Sequence, residues 1–146
     1  METLRELMKK VLADTFAMYL KAHNYHWNVE GANFPQYHEF FGNLYEELYQ
    51  AVDVAAEQIR ALDSYAPGSF SRFAELTDIE DELNVPIGIE MAKRLQEDNE
   101  IVLTTLNMAF KLAEQFDKQG LMDFLAGRID AHNKHGWMLR SITKNT

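Results

Sequence analysis

The sequence predicts an all-α fold, a four-helix bundle whose second and third long helices are joined by a crossover containing a short helix of its own. Three observations carry that expectation. Apolar residues recur every three or four positions over long stretches, and only three prolines and seven glycines interrupt 146 residues. No stretch alternates apolar with polar residues as a half-buried strand would. Composition agrees, since 47% apolar and 25% charged residues are ordinary globular proportions and exclude a disordered or fibrous chain. The length suits a single domain, 1–146, with a core of its own.

The first helix, α1, is expected over residues 3–28, where Leu4, Leu7, Met8, Val11, Leu12, Phe16, Tyr19 and Ala22 share one face. Gly31, Asn33 and Pro35 then mark a short connection. Beyond it α2 runs to about residue 63, with Phe41, Leu44, Tyr45, Leu48, Val52, Ala55, Ile59 and Leu62 repeating the same period. A turn at Pro67 and Gly68 leads into SFSRFAELTD, where Phe70, Phe73 and Leu76 line a short helix, α3. After Pro86, α4 is expected over 89–116. After Gly120, α5 carries Leu121, Phe124, Leu125, Ile129, His132, Trp137 and Leu139. Four long helices with one long connection between the second and third make the ferritin-like topology.

Charge and composition then narrow the chemistry. Fourteen Lys plus Arg against twenty-three Asp plus Glu give a net charge of −9, a field that repels phosphate backbones and anionic lipid. The chain has no cysteine, which excludes disulfides, thiolate nucleophiles and Cys-ligated zinc or iron–sulfur sites. Any metal is left to His, Asp and Glu. No glycine-rich phosphate loop occurs. The opening METLRELMKK lacks a signal-peptide core, and no segment approaches the roughly twenty consecutive apolar residues of a membrane span. The expectation is a soluble cytoplasmic protein, with association to the nucleoid left open.

Histidines and carboxylates fall in a pattern of their own. His26 ends α1 and His38 lies in the first turns of α2, so an antiparallel hairpin brings both imidazoles to one end of the bundle. Asp53 and Glu57, spaced i, i+4, share one face of α2. Asp53 lies fifteen residues beyond His38, about 22 Å along a continuous helix, too far for one ion. Either the two pairs are unrelated, or a second copy packed antiparallel brings its carboxylates to the first copy's imidazoles. Such a shell suits ferrous iron, with zinc and manganese as competitors. Plainer readings stand beside these: helix-end histidines, a solvated acidic face on α2, and Trp27 as a core or interface anchor. His132 and His135 read as packing or surface residues. Met18, Met91, Met108, Met122 and Met138 read as core filler.

The string HWNVEGANFPQYH (26–38), followed by DVAAEQIRAL (53–62), is similar to the signature of the Dps family. These are mini-ferritins that protect DNA and cells in starvation and oxidative stress. RIDAHNKHGWMLRS (128–141) looks like the last helix of the same family, so the resemblance covers the whole chain. It implies a hollow homo-dodecamer with ferroxidase centres at two-fold interfaces, His26 and His38 coming from one subunit and Asp53 and Glu57 from its neighbour. It further implies oxidation of Fe(II) by hydrogen peroxide or dioxygen and storage of a ferric oxide core. Trp27 resembles the family aromatic that intercepts stray oxidising equivalents.

Two departures from that pattern stand out. Where the family usually has a carboxylate four residues after the second histidine, helping to hold a second iron, this chain has Gly42. Glu46 one turn further, or Glu39 beside His38, is then the candidate substitute. A lysine-rich tail is not expected either: only Met1 to about Leu4 precede α1, and Lys9, Lys10 and Lys144 offer only a weak basic surface, so direct DNA binding is not expected. Asp123 and Asp130 on α5 are candidates to steer cations inward around a three-fold axis. A 24-subunit ferritin site, built from Glu-x-x-His pairs, is not available, because the residues three before the histidines are Leu20, His23, Pro35, Ile129 and His132. The remaining alternative is a redox-inactive zinc-binding or structural cage scaffold of the same fold.

Overall fold

A computed structural model describes residues 1–145. Five helices follow one another: α1 (Glu2–Asn28), α2 (Phe34–Ala61), α3 (Phe70–Leu76), α4 (Gly88–Gln115) and α5 (Gln119–Thr143). Among the described residues there is no strand, and each expected helix is present with its ends displaced by a residue or two. The α1–α2 turn is closed by two left-handed residues, Gly31 at φ 96° and Asn33 at φ 65°. Pro35 falls in the first turn of α2, where a missing N–H breaks no helical bond.

The core lies between the long helices. α1 packs on α2 and α4, α4 on α5, and α2 meets α5 more sparsely. Leu4, Met8, Leu12, Met18 and Tyr25 of α1 are fully buried with Phe41, Leu48 and Ile59 of α2, Met91, Leu95 and Leu106 of α4, and Leu125 of α5. Each such side chain stabilises the fold by about 1.5–3 kcal/mol relative to exposure. Of the five methionines expected in the core, Met18 and Met91 are buried there. Met108 is not, because it falls on the outer face of α4 between the buried Leu106 and Ala109 and is 53% exposed.

The crossover is tied down mainly by α1. Lys10 Nζ donates to the Leu76 carbonyl (3.1 Å) and to Asp78 (2.7 Å), and Lys21 Nζ donates to the Glu80 carbonyl (3.0 Å). The buried Asp14 carboxylate accepts from the hydroxyls of Thr77 (2.6 Å) and Thr105 (2.8 Å), joining α1, the crossover and α4. Burial pushes the Asp14 carboxyl up. The Tyr25 hydroxyl donates to Glu82 (2.6 Å), which Arg94 also holds. In α3, Phe73 stacks on Phe16 at 4.7 Å, whereas Phe70, expected on the same face, points outward and is 81% exposed. No helix among the described residues is long and apolar enough to cross a membrane.

Candidate metal centre

His26 closes the last turn of α1 and His38 lies in the second turn of α2. The hairpin brings their rings into a near-parallel stack, centroids 3.8 Å apart and planes 16° from parallel. Each ring is then fixed by the other's backbone. His26 Nδ1–H donates to the His38 carbonyl, and His38 Nδ1–H donates to the His26 carbonyl, both at 2.7 Å. A carbonyl only accepts, so both rings carry their proton on Nδ1 and leave the Nε2 lone pair free as a donor to metal.

Gly42, one turn beyond His38, is part of this arrangement. A Cβ at that position would lie 3.0 Å from Nδ1 and Cε1 of His26. The His26 imidazole therefore occupies the space that a carboxylate-bearing side chain would start from. Glu39 and Glu46 are exposed on α2. The neighbouring Glu47 turns instead toward α5, where His135 Nε2–H (2.7 Å) and Arg128 Nη2 (3.0 Å) donate to its Oε1. Burial opposes its ionisation, but the hydrogen bonds from His135 and Arg128 outweigh it and hold the carboxyl well below the usual range.

Asp53 and Glu57 are both exposed on α2 and have no hydrogen-bond or ion-pair partner among the described residues. No group of three or more His, Asp or Glu able to hold a metal comes together among the described residues. The imidazoles and the carboxylates thus stay apart within one chain, as their spacing along α2 requires. Asp123 and Asp130 are exposed on α5.

His132 and His135 are packing residues. His132 is fully buried, donating from Nδ1 to Asn99 Oδ1 (2.7 Å), while its Nε2 accepts from Arg128 (3.2 Å). Burial, with Arg128 and His135 adding to it, keeps its ring neutral.

Trp27 is 59% exposed and belongs to an aromatic row that the sequence reading did not single out. Its ring lies 3.9 Å from that of His23, which stacks on Tyr45 at 3.7 Å and 7° and shares a hydrogen bond between its Nδ1 and the Tyr19 hydroxyl (3.0 Å). The signal was available: Tyr19, His23 and Trp27 are spaced i, i+4, i+8, one face of one helix.

The sequence and the fold match known proteins over nearly the whole chain. The family model of the ferritin-like domain matches residues 5–146, and the chain belongs to that family. DNA protection during starvation protein 2 of Bacillus anthracis is 30% identical over 94% of this chain and 94% of its own length. A low temperature-induced protein of Nostoc is 33% identical over 93% of this chain and 77% of its own. The crystal structure of Dps from Staphylococcus aureus superposes with a TM-score of 0.94 at 26% identity, covering 100% of this chain and 98% of that one. A Vibrio cholerae Dps protein, described as belonging to a broad superfamily of ferritin-like diiron-carboxylate proteins, gives 0.94 at 25% identity over 98% and 90%. Within the ferritin-like family the chain is a Dps protein.

Proposed function

We propose that this chain is a ferroxidase and iron store, which binds Fe(II) at two-fold interfaces of a dodecameric cage and keeps the ferric product inside. The observation that carries the proposal is the reciprocal His26–His38 clamp, which orients two neutral imidazoles with free Nε2 atoms while Asp53 and Glu57 stand exposed and unpaired. An antiparallel second copy completes the shell with its own Asp53 and Glu57. Leu20 and Trp27 on α1, Tyr49 and Val54 on α2 and Phe70 on α3 are exposed apolar side chains that suit burial between copies. The single domain, 1–146, is the repeating unit.

The division of labour follows from charge. The imidazoles are neutral donors that fix the position of the ion. The two carboxylates lower the free energy of Fe(III) more than that of Fe(II) and so favour the transfer of electrons to peroxide. Two ferrous ions each give up one electron, and the O–O bond of one hydrogen peroxide breaks to leave two hydroxide equivalents. Dioxygen is the slower alternative oxidant. The net charge of −9, with Asp123 and Asp130 exposed on α5, draws cations toward the cage and disfavours DNA. Protection then comes from removing iron and peroxide, in the cytoplasm, with or without proximity to the nucleoid. Glu46 or Glu39 is the candidate support for a second, weaker iron.

A redox-inactive shell holding zinc is the second reading, favoured by the absence of a carboxylate at Gly42. Anaerobic ferrous loading followed by peroxide, with size-exclusion chromatography and in-line iron detection, separates the two. The proposal expects many ferric ions eluting with a species of twelve 16.9 kDa chains, about 200 kDa. A shell of that size without oxidised iron favours the zinc scaffold, and a small iron-free oligomer overturns both.

A further inference from the structure

The centre faces a row of oxidisable rings. From Trp27 the row passes to His23, whose ring lies 6.1 Å from that of His26, then to Tyr45 stacked on it. Tyr19 lies 6.2 Å from Tyr45 and 5.1 Å from Tyr49, centroid to centroid. These separations are short enough for an electron to pass from ring to ring.

The tyrosines of the row differ in one respect. A phenol that loses an electron becomes a strong acid, so at neutral pH its oxidation needs a base already in hydrogen-bond contact. Tyr19 has one, since its hydroxyl lies 3.0 Å from His23 Nδ1, which accepts from it when the ring carries its proton on Nε2. Tyr45 and Tyr49 have no hydrogen-bond partner among the described residues. Tyr25 has a base in Glu82, but its ring neighbour is Phe41 at 5.8 Å, which lies off the row.

We propose that Tyr19 and His23 form a proton-coupled redox pair that draws a one-electron oxidising equivalent from Trp27 and so away from the metal centre. The oxidant is a hydroxyl radical, produced when peroxide meets a single ferrous ion; this source rests on the function proposed above. The radical takes an electron and a proton from the Trp27 indole and leaves as water. The Tyr19 phenol then passes an electron along the row to the indolyl radical. Its proton moves to His23 Nδ1, while the indole nitrogen takes a proton from water. The next ferrous ion reduces the tyrosyl radical, and His23 returns the proton. The cycle converts one hydroxyl radical and one Fe(II) to water and Fe(III), leaving the protein unchanged.

Pulse radiolysis with azide radicals tests this on the assembled, iron-free protein, because azide radicals oxidise tryptophan directly. Trp137→Phe serves as the background, so that Trp27 is the only tryptophan. The expected result is a tryptophanyl signal that decays at a rate independent of protein concentration, with a matching tyrosyl rise. Tyr19→Phe keeps the ring and removes only the hydroxyl, and is expected to lose the tyrosyl signal. His23→Phe keeps a stacked ring without the base and is expected to suppress it as well. Tyr25→Phe and Tyr65→Phe are expected to leave it unchanged. An unaltered tyrosyl yield in Tyr19→Phe, with helical content confirmed by circular dichroism, overturns the proposal. Since no iron takes part, that failure leaves the ferroxidase reading standing, whereas a failure of iron oxidation leaves the Tyr19–His23 relay standing and removes only its source of oxidant.

Discussion

His26 and His38 hold each other through their backbones, each Nδ1–H donating to the other's carbonyl at 2.7 Å. Removing one side chain therefore leaves the other ring hydrogen-bonded and correctly oriented. His38→Ala and His26→Ala are each expected to weaken Fe(II) or Zn(II) binding by more than about tenfold without unfolding the hairpin. Metal titration beside thermal unfolding checks this. A common loss of binding and of melting cooperativity would mean that the rings are structural.

Gly42 offers a sharper contrast between stability and binding. Alanine in a helix interior gains up to about 1 kcal/mol over glycine, while the new Cβ would lie 3.0 Å from the His26 ring and must displace it. The two effects oppose each other in stability but not in metal affinity. Gly42→Ala is expected to melt within about 1 kcal/mol of the parent while binding metal about tenfold more weakly. Chemical denaturation and metal titration on the same sample decide it.

Glu47 is the link between α2 and α5 through His135 and Arg128. Its carboxyl titrates below the unfolded value of 4.5, so its contribution is present above that pH and is lost as pH falls through the folded range. The side chain is 37% exposed, and water screens part of the interaction. Glu47→Gln is therefore expected to cost only about 1–2 kcal/mol at pH 7, with a shallower loss of stability on acidification than the parent shows. Urea denaturation across pH measures both.

Asp98 carries the opposite sign. It is buried beside Lys21, whose Nζ lies 3.0 Å from Oδ2, and burial pushes its carboxyl up from 3.8 to about 6. A folded value above the unfolded one means that the fold binds the proton more tightly. That contribution is complete below the unfolded value and disappears as pH rises through about 6. Asp98→Asn is expected to remove a fall in stability of roughly 3 kcal/mol between those two values. Unchanged pH dependence would assign the effect to another group.

The helices were legible because their apolar period is uninterrupted from Leu4 to Ala22 and from Phe41 to Leu62, and because Gly31, Asn33 and Pro35 can only be a turn. The separation of His38 from Asp53 was legible for the same reason, since a continuous helix fixes distance. Three features were not. Spacing alone does not show that the two Nδ1 atoms engage carbonyls, because that depends on how tightly the hairpin closes. Glu46 and Glu47 are adjacent acidic residues in sequence, and only the fold shows that Glu47 turns toward His135 and Arg128 of α5. His132 read as a packing or surface residue, and spacing does not say which of the two, because its partners, Asn99 and Arg128, come from another helix and from the preceding turn.

The central claim is that each centre takes imidazoles from one chain and carboxylates from another, and subunit mixing tests it directly. Chains carrying His26→Ala and His38→Ala are co-assembled with chains carrying Asp53→Ala and Glu57→Ala, each parent shell being inactive in peroxide-driven Fe(II) oxidation. A mixed two-fold interface rebuilds one intact centre from the two defective chains. Random co-assembly is predicted to restore about one quarter of the wild-type centres. Mixed shells that stay as inactive as either parent would contradict the account.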